Sequence, residues 1–200
     1  MSKKKIPWSS GVWLNRPAQV DISENSIIIT PVMGKDFWKK TLYGFDFEDG
    51  AALLVPWDTE TAMEVSFQIS SFTELYDQAG LFLYKAPGQW IKAGIEFNDG
   101  LHHISVVVTD GQSDWSLVAV PNWHDEEITI RASIINEAII IRARTKSFPW
   151  RTIRVAPFTD NTSIQAGPFA ISPKRNDLSV KFTDWFITEK DLDLHSSPNK

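Results

Sequence analysis

The chain has 200 residues, of which 42% are hydrophobic and 22% charged, and its formal net charge is −5. That balance suits a single globular domain with a full core and disfavours nucleic acid as a partner, because phosphate binding needs a concentrated basic surface. Cysteine is absent, which excludes disulfides, thiolate catalysis and Cys-ligated zinc, and no apolar run approaches the ~20 residues of a membrane-spanning helix.

From the N-terminus, the basic run Lys3-Lys4-Lys5 is followed by Ile6-Pro7-Trp8 rather than by the apolar stretch of a signal peptide. Residues 1–7 are expected to be a disordered segment, and the expected location is the cytoplasm. Strands are predicted at Ser26–Thr30 and Ala51–Val55. Met63, Val65, Phe67 and Ile69 then alternate with Glu64, Ser66, Gln68 and Ser70, the period-2 pattern of a half-buried strand. Further strands are predicted at Ala79–Tyr84, Trp90–Phe97, His102–Thr109 and Trp115–Val120. Ile128, Ile130, Ala132 and Ile134 form a second clear alternation, followed by Ala138–Arg144, Ser163–Ile171 and the alternating Leu178, Val180 and Phe182. Asp49-Gly50, Asn98-Asp99-Gly100 and Asp110-Gly111 are expected to supply the positive-φ positions of tight hairpins, and Pro87-Gly88 and Asn136-Glu137 are further turns. More than ten short strands with turns between them, and no long amphipathic helix, predict an all-β fold: a two-sheet antiparallel sandwich or jelly roll. It should form one domain over residues 8–188 with a flexible tail at 189–200.

Function is most legible between Tyr76 and Ser116. Ile91, Ala93, Ile95 and Phe97 share one strand face, so Trp90, Lys92, Gly94 and Glu96 share the other. If the neighbouring strands pair through the two turns, Gln78, Tyr84 and His103 join them. Gly80 and Gly94 would keep the centre of that face open. A solvated polar face accounts for the charges. An aromatic-lined binding face accounts for the aromatics and small residues as well. The chain also holds nine tryptophans, which fill cores or offer flat stacking surfaces.

Asp36-Phe37-Trp38, Tyr76 to Leu81 (YDQAGL), Trp90 to Glu96 (WIKAGIE), Asp99-Gly100, Val107 to Thr109 and Ser113 to Ser116 (SDWS) occur in that order. This series resembles the signature of a domain family typified by the fungal "regulation of enolase" protein, and the likeness runs from about Trp8 to Ile187. The family is similar in fold to concanavalin A-like lectins and glucanases. The resemblance therefore implies a jelly roll with a carbohydrate or small-molecule site on its concave face, and a glycolytic enzyme as a partner. Many relatives carry a Ser-x-Asp-Gly turn where this chain has Thr145-Lys146-Ser147-Phe148-Pro149-Trp150, so the turn here has lost its Gly. Trp150 and Arg154 could still face the groove.

The enzymatic reading requires two carboxylates about 5–10 Å apart. Glu96 has no acidic neighbour on its own strand face, which leaves Asp77 or Asp114 to approach from elsewhere. Lys92, four residues away, is about 13 Å distant by strand rise. No nucleophile elbow, phosphate loop or EF-hand spacing is present, His102-His103 point to opposite faces, and no metal or cofactor is expected. The leading expectation is a non-catalytic binding protein, with Trp38, Trp90 and Trp115 as stacking groups and Trp150 among the expected ligand-binding residues. Gln78, Tyr84, Lys92, Glu96, His103 and Asp114 complete the expected site. A carbohydrate-active enzyme using Glu96 and a protein-interaction regulator are the alternatives.

Overall fold

A computed structural model describes residues 3–158 and 163–198. In chain order its strands are β1 (Lys4–Lys5), β2 (Val12–Asn15), β3 (Gln19–Ile22), β4 (Ile27–Thr30), β5 (Phe37–Lys39), β6 (Asp46–Glu48), β7 (Ala51–Trp57) and β8 (Thr61–Gln68). They continue as β9 (Gln78–Ala86), β10 (Gln89–Asn98), β11 (Leu101–Asp110), β12 (Gln112–Ala119) and β13 (Glu127–Ile135). The last are β14 (Ala138–Arg144), β15 (Arg151–Pro157), β16 (Ile164–Ile171) and β17 (Val180–Glu189). One sheet has the order β15-β14-β13-β8-β17-β4-β3, with β1 added against β17; the other runs β12-β11-β10-β9-β16-β7-β2. All these pairings are antiparallel. The expected all-β sandwich is the fold.

The alternation read from the sequence builds the space between the sheets. Met63, Val65 and Phe67 of β8 and Ile128, Ile130 and Ala132 of β13 face Leu81, Leu83, Ile91, Ala93 and Ile95 across one dry core. Asp99 (φ 50°) and Gly100 (φ 76°) both adopt the left-handed conformation that the two-residue β10–β11 hairpin demands. Gly50 departs from the expectation: its φ is not positive, and glycine is required there because a Cβ would lie 2.7 Å from the Phe37 ring.

A second apolar layer lies on the outer face of the seven-stranded sheet, where the sequence suggested an open surface. The β5–β6 hairpin covers it. Phe37 stacks on Phe82 at 4.2 Å between ring centroids and tilts over Trp90 at 5.7 Å, with Leu54, Phe169 and Ile171 filling the layer around them. Trp90 is consequently only 1% exposed and is a core residue. Gly80 and Gly94 also serve a different purpose from the one expected. They pair in register, and a Cβ on Gly94 would lie 1.9 Å from the Ala79 carbonyl oxygen. The two backbones approach too closely for any side chain.

The ends are tied down further out than the composition suggested; residues 1–2 and 199–200 lie outside the described residues. Lys4 and Lys5 pair with Ile187 and Phe186, and Ile6 is buried. At the other end, Asp191 resolves a conflict in the sheet. Arg131 and Arg142 sit directly opposite each other on β13 and β14, an arrangement that repels when unneutralised. The Asp191 carboxylate bridges them, accepting from Arg131 at 2.8 Å and from Arg142 at 2.8 Å. Glu64 takes a second Arg131 nitrogen at 2.6 Å, and the Leu194 carbonyl takes Arg142 at 2.8 Å. Breaking a buried pair on one side leaves the other charge uncompensated. Asp191→Ala should therefore destabilise the fold by about 3–5 kcal/mol, measured by urea unfolding. A loss within about 0.5 kcal/mol, the usual range of surface changes, would show that the clip does not hold the tail.

Candidate functional site

The hairpin that covers half of the outer face leaves a cavity of about 260 Å³ on the other half. Its floor is the sheet itself: Gln78 of β9, Lys92 and Glu96 of β10, Val107 of β11 and Trp115 of β12. Asp36 leads into β5, Trp38 lies on β5, Phe47 on β6, and Tyr43 and Phe45 in the loop between them. Tyr76, Pro173 and Lys174 close the remaining side. Trp38 and Trp115 meet edge to face at 5.8 Å, and Tyr43 tilts against Trp38 at 5.9 Å, so the walls present flat faces at steep angles to one another.

The polar floor is held in place. Lys92, almost fully buried, donates to Asp36 Oδ1 at 2.9 Å, an ion pair that crosses from the sheet to the entry of the hairpin. Glu96 Oε2 accepts from the Ser105 hydroxyl at 2.8 Å, and Ser105 Oγ in turn accepts the Trp115 indole N–H at 3.0 Å. This relay fixes one carboxyl oxygen of Glu96. Burial pushes the Glu96 carboxyl up to about 7, against the opposing pull of Lys92 and of the Ser105 hydrogen bond; Asp36 adds to the rise. Tyr76 stands at the rim with a left-handed backbone (φ 68°), held by its N–H to the Phe97 carbonyl at 2.8 Å. Its hydroxyl bonds that of Tyr43, which together with burial pushes the phenol up to about 12.

Of the expected site residues, Trp38, Gln78, Lys92, Glu96 and Trp115 line this cavity, and the others lie elsewhere. Trp90 and Tyr84 belong to the second apolar layer, where the Trp90 indole donates to Glu48 Oε1 at 3.0 Å. His103 pairs in register with Glu96 but bonds the Leu101 carbonyl outside the cavity. Asp114 is exposed and pairs with Arg154 at 2.6 Å. Trp150 lies under the Arg144 guanidinium at 4.5 Å, beside the other sheet. Asp77, the other candidate partner for Glu96, is fully buried and committed to Arg175 at 2.7 Å, Ser172 at 2.9 Å and two backbone N–H groups. The acid that does share the cavity is Asp36, which the sequence reading placed in a motif but not in the site. Tyr43, Phe45, Phe47 and Tyr76 were missed as well. Among the described residues, no group of three or more His, Asp or Glu could hold a metal ion.

A family model described as "Protein of unknown function (DUF1349)" matches residues 13–190. The chain belongs to this family. It is 34% identical to "Regulation of enolase protein 1" of Saccharomyces cerevisiae over 188 residues, 94% of each chain. A crystal structure of a functionally unknown S. cerevisiae protein, 33% identical, superimposes with a TM-score of 0.85 over 92% of this chain and 98% of that one. A xylan β-1,4-xylosidase from Bacillus halodurans shares the fold at 12% identity, with a TM-score of 0.67 over 88% of this chain and 36% of the xylosidase. The DUF1349 chain is thus a jelly-roll sandwich of the type found in concanavalin A-like lectins and glycosidase modules.

The raised Glu96 carboxyl has a measurable consequence. Its folded value of about 7 lies above the ordinary 4.5, so the native state keeps a proton that the unfolded chain releases. The associated stability is fully present below about pH 4.5 and is lost as the pH rises through about 7. Glu96→Gln should flatten this dependence and raise stability at pH 8 by about 3 kcal/mol, several degrees in Tm. Thermal unfolding of both proteins at pH 5 and pH 8 checks it; an equal difference at the two pH values would show that Glu96 does not titrate there.

Proposed function

We propose that this protein is a non-catalytic binding protein that takes a carbohydrate or similar polar small molecule in the cavity over the seven-stranded sheet. The observation that carries this reading is the combination in one recess of steeply inclined aromatic walls, Trp38, Trp115 and Tyr43, with a buried polar floor, Lys92, Glu96 and Gln78. Apolar walls with a few fixed polar groups are the chemistry of small-molecule sites. An aromatic face suits the C–H face of a sugar ring, and the Glu96 carboxyl and the Lys92 ammonium suit its hydroxyls.

The enzymatic alternative loses its two candidate partners, since Asp77 and Asp114 are engaged elsewhere. Asp36, the acid in the cavity, is ion-paired with Lys92. A regulatory role on a glycolytic enzyme is the second reading, favoured by the name of the 34% identical yeast relative. It is compatible with ligand binding if the occupied cavity alters a partner surface. A cytoplasmic location fits both readings. Among the described residues, no helix is long and apolar enough to cross a membrane.

Titration of intrinsic tryptophan fluorescence against a panel of sugars and sugar phosphates tests the first reading. Saturable binding is expected, weakened about 10-fold or more by Trp115→Ala and by Glu96→Gln, in line with the roughly 1.5–3 kcal/mol of a hydrogen bond to a charged group. No binding across the panel, or binding indifferent to both substitutions, would overturn it. For the second reading, purified enolase should be retained on the immobilised protein at micromolar concentration; no retention would remove it.

A further inference from the structure

We infer that the cavity accepts a single sugar-sized ring without an acidic group, either a free monosaccharide or the terminal residue of a chain, and excludes an internal stretch of a polymer. The inference rests on the binding reading above and concerns what the site will refuse.

The outer face of a seven-stranded sheet is a long trough, and a linear glycan could lie along it if nothing stood in the way. Here the β5–β6 hairpin crosses it and is pinned on three sides. The Lys39 N–H donates to Ser113 Oγ at 2.9 Å, at the β12 side. Glu48 Oε1 accepts the Gly88 N–H at 2.5 Å, at the β9–β10 turn. The Asn15 side chain donates to the Glu48 and Gly50 carbonyls, each at 3.0 Å, at the β2 side. Beneath the hairpin the space is filled by Phe37, Phe82, Trp90 and Phe169. Tyr76, whose hydroxyl bonds that of Tyr43 in the hairpin loop, and the Pro173-Lys174 segment also line the recess. What remains, about 260 Å³, falls just under the ~300–1,000 Å³ of sites for drug-sized ligands.

The charges inside define the second half of the inference. Lys92 and Asp36 neutralise each other, and Glu96 lies on the same floor. A ligand carboxylate would face two acids with the one floor lysine already engaged by Asp36, and like-charge contacts in a recess this buried are penalised. A neutral polyol meets no such penalty and can bond all three groups.

The test uses isothermal titration at pH 7.5 with glucose, galactose, mannose, xylose and arabinose, with linear tetrasaccharides of glucose, mannose and xylose, with the cyclic glucose oligomer α-cyclodextrin, and with glucuronate. The expected result is saturable binding of at least one neutral monosaccharide. Where glucose, mannose or xylose binds, its linear tetrasaccharide should match it within about threefold. α-Cyclodextrin, which has no chain end, should not bind, and glucuronate should bind at least tenfold more weakly than the tightest-binding neutral monosaccharide. Saturable binding of α-cyclodextrin, or a tetrasaccharide bound more than threefold tighter than its monosaccharide, would overturn the inference and leave the binding reading standing. Glucuronate bound as tightly as the neutral sugars would overturn the exclusion of acidic ligands. No binding by any of these sugars would overturn the inference and the sugar-binding reading together.

Discussion

Glu48 holds the β5–β6 hairpin against the sheet, and the site depends on that attachment. One carboxylate oxygen takes the Trp90 indole N–H and the Gly88 backbone N–H, and the other pairs with Lys39 at 2.9 Å on the adjacent strand. Burial alone would push this carboxyl up, but the Gly88, Lys39 and Trp90 contacts outweigh it and hold it below the ordinary carboxylate range. The same bonds fix the hairpin's lateral position. That position decides which part of the sheet face is dry core and which part is cavity.

The two carboxylates on this face illustrate how environment divides identical groups. Glu48 is met by three donors and stays charged. Glu96 lies deeper, with one hydroxyl donor and a lysine whose ammonium is already engaged by Asp36. Its desolvation is therefore less fully offset, and it titrates near neutrality. Lys92 cannot bond Glu96 directly from four residues along an extended strand, as the strand rise required. Its effect on Glu96 is exerted through space, and its own counter-ion comes from 56 residues away.

What the sequence disclosed follows from the range of the interactions concerned. Strands β8, β10 and β13 were legible because alternation is local and long enough to count. Strands β5 and β6 were not, since three residues carry no visible period. Alternation shows that Trp90 and Ile91 face opposite ways, but not that both faces are covered, so Trp90 was read as a surface platform. Asp36 entered the site only through tertiary approach, and no spacing rule links it to Lys92. The tail was read as loose from its polar composition, yet Asp191 is fixed by arginines 60 and 49 residues earlier. Gln78 from the first motif and Lys92 and Glu96 from the second share the cavity floor because β9 and β10 are paired neighbours.

The strand order bears on synthesis as well as on the finished molecule. β16 lies between β9 and β7, and β17 lies between β8 and β4. Each sheet is therefore completed in its interior by a strand from the last quarter of the chain. A nascent polypeptide lacking residues 164–189 would carry four additional open strand edges, on β9 and β7 in one sheet and on β8 and β4 in the other, and an uncovered core, however well its hairpins had formed. Pairings of this sequence separation close late and slowly. The interval before residue 189 emerges is thus when the chain is most exposed to misassociation, and when a holding chaperone would have the most exposed apolar surface to recognise.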